Sequence, residues 1–428
     1  MSGHPKWPCQ AKGKGPCLVL IISAIVLSEL PSGGVRAASK SAAAGRSSAD
    51  KPHVRTDRKA YPLPPAPKLP PAGGTFTDPT FGTQILRVTD EADGDSHNAY
   101  SYYPAFNRDS TMFFIHCKDG PRLYDFDPKA FRIVGKRPLF AARAPNRHTP
   151  RWEDCIWSDK APNALFCHEG LRLWRHDVRT QKYELVKDFS GELPPGHLHQ
   201  MSKSLDDNTF GFSRQGPKWE LAGYLVWRRD ADKIVLRRDT TNLDEIQVDK
   251  TGRWCVVKTA RQGKGVVQDI VVDLATGKTE DLIDNEPDFA PGHSDNGLGT
   301  ILGADNWKNR LTLRRFEKPH EFISILDLHN DWSQDQHISW LADDEGWVTL
   351  SFYVCNKLPN SGAFKNEIVQ VKTDGSRQIR RLAHHRSVFR SYWDSPRACI
   401  SRDGRFITYT SNWEGRGRQV FILRVPSR

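Results

Sequence analysis

Leu123-Tyr124-Asp125-Phe126-Asp127 is a short apolar strand that runs into an Asp, where a polar turn begins. The pattern returns in Leu173-Trp174-Arg175-His176-Asp177, in Leu225-Val226-Trp227-Arg228-Arg229-Asp230 and in Ile270-Val271-Val272-Asp273. Val369-Gln370-Val371-Lys372-Thr373-Asp374-Gly375 does the same job. An Asp at this place turns the chain by accepting backbone N–H groups just downstream. The unit recurs at roughly 45 to 50 residues, the length of a four-stranded propeller blade. A single blade cannot bury both of its faces, whereas radial stacking around a channel covers them and leaves only short edges. The ring must also close. Phe81-Gly82-Thr83-Gln84-Ile85-Leu86-Arg87-Val88-Thr89 is an isolated strand ahead of the first full unit, and the last unit supplies only three strands before Arg428. The expected fold is therefore all-β, a seven-bladed β-propeller of four-stranded blades over residues 73–428, with an N-terminal strand closing the last blade.

The first 72 of the 428 residues stand outside this ring. Lys6, Lys12 and Lys14 precede an apolar run from Cys17 to Leu30, and Val35-Arg36-Ala37 offers a small-residue cleavage site, so residues 1–37 read as a secretory signal peptide. The run is too short to span a bilayer comfortably, and no stable membrane insertion is expected after cleavage. Residues 38–72 are rich in Ala, Ser, Pro and Lys and read as a disordered linker. Localisation is expected to be exported, periplasmic or extracellular. The net charge of +11 is concentrated at this end. Residues 1–37 hold four basic and one acidic side chain, and residues 38–72 hold seven basic and two acidic, which leaves +3 for the ring. So mild a charge argues against nucleic acid as a partner.

Cys117, Cys155, Cys167, Cys255, Cys355 and Cys399 lie in the ring. An even number in an exported chain permits disulfides, and Cys155 and Cys167 flank a hairpin turn at Lys160-Ala161-Pro162-Asn163 that a cross-strand bridge could span. No CxxC pair occurs, which argues against cysteine zinc sites and thioredoxin chemistry.

The innermost strand of a blade starts at one mouth of the channel and runs to the first turn. Counting seven residues back from that turn gives Tyr102 from Asp109, His199 from Asp206, Asp244 with Glu245 beside it from Thr251, His337 from Asp344, and Pro396 with Arg397 beside it from Asp403. The second and fifth units begin with His148 and His293. Four histidines are thus candidates for a single mouth, although a slip of one residue would turn any of them to the other face. Two loops join them. Pro291-Gly292-His293-Ser294-Asp295-Asn296-Gly297-Leu298-Gly299 is Gly-rich but has neither a GK[ST] ending nor the final Gly of GxSxG, which excludes a phosphate loop and a nucleophile elbow. The stretch from His384 to Pro396 is the densest polar and aromatic segment, and Arg386, Arg390 and Arg397 make it locally cationic.

Ser401-Arg402-Asp403-Gly404-Arg405-Phe406-Ile407-Thr408-Tyr409-Thr410-Ser411 resembles the SxDGxxIxFxS signature of TolB-type propeller repeats. Among enzymes of this architecture the chain looks most like the oligogalacturonate lyase group. That resemblance implies a divalent metal, Mn or Ca, on three His and one Gln, with His199, His293 and His337 as the imidazoles and Gln334 or Gln336 as the amide. It further implies β-elimination on a uronate-containing saccharide, with His148 or His385 as base and Arg386 or Arg397 as carboxylate clamp. Tyr392 or Trp393 would be the sugar platform, and Arg390 and Asp295 further substrate contacts. An imidazole suits the base because its pKa lies near working pH, and an Arg or a metal suits the clamp because either stabilises developing negative charge. The other reading keeps the mouth without the chemistry, as a monomeric binding module for a glycan or a surface protein.

Overall fold

A computed structural model of the chain describes residues 54–141, 154–259, 269–282, 292–305, 308–328, 334–355 and 362–427. The expected signal peptide, the start of the linker and His148 lie outside the described residues. The ring is a seven-bladed propeller: six antiparallel sheets of four strands and one of five. The innermost strands, in blade order, are Ser96–His97, Cys155–Trp157, His197–Lys203, Glu245–Val248, Ser294–Asn296, Gln334–Ser339 and Cys399–Ile400. Closure comes from the N-terminal side, where Gln84–Arg87 pairs with Gln419–Arg424 of the seventh blade. Thr75–Thr77 adds a further edge strand, so this blade has one strand more than the repeat supplies elsewhere.

Four of the five aspartates that mark the repeat accept backbone N–H groups in the turns, whereas Asp230 donates its own N–H to the Asn208 side chain. Asp127 accepts from the backbone N–H groups of Lys129 and Ala130, and Asp177 from those of Arg179 and Thr180. Asp273 and Asp374 hold the N–H groups of Ala275 and Ser376 in the same manner. At the first turn of blade 7, Asp403 accepts from Arg405 while Gly404 takes φ 70°, a left-handed value that favours glycine. Between blades, strand faces meet in dry layers such as Ile368, Leu382, Ile400, Ile407 and Phe421 between blades 6 and 7. Leu86, Phe106, Phe113, Phe406 and Ile422 fill the seam where the ring closes.

At the turn end of the channel, ion pairs cross from blade to blade. Lys203 contacts Asp159 of blade 2 at 2.5 Å and, within its own blade, Asp207 at 2.6 Å, Arg402 contacts Asp159 at 3.1 Å and Asp343 at 2.7 Å, and Lys250 contacts Glu345 at 2.7 Å. The cavity above them, reached by Gln200, Glu245, Lys250 and Asp295, has a volume of about 70 Å³, room for a few waters rather than a sugar chain.

Residues 54–72 differ from the mobile linker expected of their composition. Arg381 is fully buried, paired with Glu367, and donates to the backbone oxygens of Asp57 and Lys59. Arg386 donates to the carbonyls of Pro64 and Pro65, Tyr61 packs edge-on against Phe81, and Leu69 joins the layer between blades 6 and 7. Proline-rich chain builds no core of its own, but its carbonyls are good acceptors for guanidinium groups that the ring buries. Cys155 and Cys167 sit directly opposite each other with their sulfurs 3.3 Å apart, and both are free thiols.

Candidate active site at the channel mouth

The mouth is organised by an interruption in blade 1. Ser96 and His97 pair with Cys117 and His116, and pairing resumes at Phe106 opposite Phe113. Residues 98–104 leave the sheet between these points. Asn98 pins the bulge by donating to the carbonyls of Ala99 and Arg397, both at 2.8 Å, and Tyr103 N–H closes a turn onto Tyr100. Tyr100 and Tyr102 are carried over the channel, where the Tyr102 hydroxyl donates to Glu245 of blade 4. Glu245 in turn pairs with the buried Lys258 at 2.5 Å.

Tyr100 meets two histidines' worth of chemistry through His337, whose ring lies edge-on to it at 5.1 Å, stacked on Tyr353 at 5.0 Å and 4.6 Å from the ring of His293. His293 Nδ1 is 3.3 Å from Asp335, which also accepts from the Tyr353 hydroxyl at 3.3 Å. The two imidazoles differ sharply. Burial works against the charged form of His293, yet Asp335 overrides it and raises the pKa. Burial, with His293 and Arg397 adding to it, holds His337 well below the ordinary value. Neither ring nitrogen of His337 has a hydrogen-bond partner among the described residues. Such divergence between neighbouring groups is a mark of acid–base sites.

Arg397 completes the wall. It is fully buried, its backbone sits at φ 44°, and its guanidinium lies 4.7 Å from the Trp393 ring and 6.0 Å from that of Tyr392. One nitrogen donates to the Trp393 carbonyl at 3.1 Å, while Nε and Nη1 have no partner among the described residues. Burial pushes its pKa down to about 10. A left-handed arginine with an uncompensated buried charge is costly on both counts, by about 1–3 kcal/mol for the backbone and several for the charge. Beside it, His97 and His116 stack at 5.2 Å, and His97 also packs 5.1 Å from Trp393.

The expected residues divide accordingly. Arg397, Tyr392, Trp393, His293 and His337 come together at the mouth. His385 does not join them: its Nε2 donates to the Phe352 carbonyl at 2.7 Å and its Nδ1 accepts from Ser387 N–H at 3.0 Å, so neither nitrogen is left to take a substrate proton. Arg386 is spent on Glu414 at 2.9 Å and on the proline carbonyls of the N-terminal segment. Arg390 is exposed on the loop and reaches the Gly415 carbonyl. Asp295 lines the cavity deeper in the channel, where it accepts from the N–H groups of Trp340 and Asn296 and burial lifts its pKa to about 7.

The expected metal set meets a geometric obstacle. The pairing of Gln334–Ser339 with its neighbour is regular, so Gln334 and Gln336 project from the face opposite to His337. His199 stands half-buried in blade 3 with Nδ1 3.4 Å from the Ser213 hydroxyl. Among the described residues no group of three or more His, Cys, Asp or Glu side chains is placed to hold a metal ion. The expected ligands do not fit a metal centre as a set.

Comparison with known proteins bears on the ring. No protein-family model matches the chain, and no curated protein matches it. Among solved structures, oligogalacturonate lyase from Vibrio parahaemolyticus superposes with a TM-score of 0.61 at 12% identity, covering 88% of this chain and 99% of that one. The shared feature is the fold. TolB from Acinetobacter baumannii also matches, with a TM-score of 0.35 at 13% identity over 69% of this chain and 64% of that one. At such identities chemistry does not carry across, and the mouth must be read from its own residues.

Tyr100, His97, His116, Asp335 and Tyr353 escaped the sequence reading. The run Tyr100-Ser101-Tyr102-Tyr103-Pro104 was the available signal for the bulge. His116 lies on a second strand, which a count along first strands does not reach.

Proposed function

We propose that the mouth binds the carboxylate of a uronate-containing saccharide and carries out β-elimination on it. The observation that carries this reading is Arg397, a fully buried guanidinium with two nitrogens that have no partner among the described residues and with aromatic faces beside it. A carboxylate supplies a charged acceptor to this guanidinium, and Tyr392 and Trp393 supply faces for a pyranose ring. With the carboxylate neutralised, the proton on the adjacent carbon becomes acidic. His337, kept neutral by burial and with no hydrogen-bond partner on its ring nitrogens among the described residues, takes that proton; the electron pair forms the C4–C5 double bond as the C4–oxygen bond breaks. His293, charged through Asp335, donates a proton to the leaving oxygen. Export through residues 1–37 places such a protein where extracellular polysaccharides are met.

The test is direct. The full chain is incubated with a panel of uronate polysaccharides, with Mn²⁺, with Ca²⁺ or with a chelator, and the ultraviolet absorbance of an unsaturated uronate is followed. Absorbance that survives the chelator supports the arginine and histidine chemistry, whereas absorbance that needs the ion restores the metal expectation. Saccharide binding without absorbance makes the protein a binding module, and neither binding nor absorbance ends the reading.

A further inference from the structure

The hairpin between the second and third strands of blade 3 opens on the same side of the ring as the mouth, since first strands start there and second strands return to it. Its tip carries Trp219, 58% exposed, the largest side chain the described surface offers to solvent. The ring is not loose. It stacks on His197 with centroids 3.8 Å apart and planes 7° from parallel. Its backbone is held at φ 66° by a turn in which Trp219 N–H donates to the Gly216 carbonyl and Gly216 N–H donates to Glu220. Lys218 N–H is tied to the Glu220 carboxylate at 2.9 Å. A left-handed tryptophan, fixed from behind by an imidazole and open in front, gains nothing for the core, and the strain asks for a use at the surface.

The way inward from this platform is marked. His197 and His199 are two residues apart on the innermost strand of blade 3, on one face and about 7 Å from each other along it. Both are half-buried, and Gln200, next in the chain, lines the central cavity. Trp219, His197, His199 and Gln200 thus follow one another along blade 3 toward the channel.

We infer that Trp219 is a distal saccharide subsite, stacking the face of a remote sugar ring while the uronate at the centre sits on Arg397. Pyranose faces carry C–H groups that pack on indole, and a chain anchored at two separated points gains affinity with length. This inference rests on the uronate reading of the mouth. Binding is measured with the full chain, its Trp219→Ala and Trp219→Tyr variants and an Arg397→Met variant, using galacturonate oligomers of graded length from the dimer upward. The expected result is that Trp219→Ala weakens the longer oligomers about five- to tenfold, leaves the dimer unchanged, and is largely rescued by Trp219→Tyr. Arg397→Met weakens every length. If the wild-type chain binds oligomers and Trp219→Ala binds each length equally well, the subsite is wrong and the mouth reading stands. If the wild-type chain binds no oligomer of any length, both fall together.

Discussion

Arg397 sets stability against function within one side chain. Its charge is buried with no carboxylate partner among the described residues, so exchanging it for an apolar residue of similar length removes a desolvation penalty along with the clamp. Arg397→Met is expected to lose about 10²–10³-fold in turnover of a uronate substrate, the scale of deleting one preorganised donor, while its melting temperature stays level or rises. Arg397→Lys keeps the charge but not the fork and should recover only part of the rate. A melting temperature that drops with the activity would mark Arg397 as structural instead. His385 works in the opposite sense, for the fold alone. Burial holds its pKa at about 4, against an ordinary 6.5. The unfolded chain therefore gains a proton that the folded chain refuses as pH falls from 6.5 to 4, and stability on the order of 3 kcal/mol is lost across that window. Relative to a His385→Gln variant, which cannot titrate, the wild-type advantage at pH 7.5 should shrink by that amount at pH 4 in denaturant titrations. A gap that does not change with pH would show that this imidazole does not govern acid lability.

Among the elements, the bulge at 98–104 decides how much the sequence could tell. Counting back from the first turns gave Tyr102, His199, Asp244 with Glu245 beside it, His337 and Pro396 with Arg397 beside it; Tyr102, Glu245, His337 and Arg397 meet at the mouth, whereas His199 stands in blade 3 beside Ser213. The count treated Tyr102 as part of a strand, whereas it hangs from an insertion that no periodicity announces. It reaches Glu245 only because Asn98 ties the bulge to the Arg397 carbonyl. In the same way, Gln334 or Gln336 was expected to join His337 in one ligand set, but a regular strand alternates its faces and both glutamines turn away from the imidazole. The loop from 384 to 396 was rightly singled out for its density of polar groups. Its members then divided according to tertiary partners, with His385 and Arg386 going inward and Tyr392 and Trp393 to the mouth. The bulge carries its own prediction. Tyr102→Phe leaves the Glu245 carboxylate, already paired with Lys258, short of one donor in a buried place, at a cost of about 1–3 kcal/mol. Chemical denaturation reads that cost, and a variant as stable as wild type would mean that the bulge is held by Asn98 alone.

For the whole ring, closure involves more than strand pairing. Gln84–Arg87 clasps the last blade, and residues 54–72 then run on across blades 6 and 7, where their carbonyls receive Arg381 and Arg386. Both guanidinium groups are buried, so the segment acts as the acceptor that lets the ring keep them there. A chain beginning at Gly73 retains every blade strand but strips these acceptors and the packing of Tyr61 and Leu69. A chain beginning at Val54 keeps them all. With one short charge-assisted hydrogen bond for each arginine, Arg381 to Lys59 and Arg386 to Pro64, worth about 1.5–3 kcal/mol apiece, the loss is expected to be on the order of 3–6 kcal/mol, partly relieved by water reaching the two arginines. In a ring of this size that corresponds to a melting temperature lower by about 4–8 °C. Thermal scans of the two chains under identical conditions decide the matter. Equal melting temperatures would mean that the segment only rests on the surface. A fall confined to the chain from Gly73 that shrinks when both chains carry Arg386→Met, whose partner Glu414 stays in contact with water, would assign part of the effect to that arginine rather than to lost apolar contact.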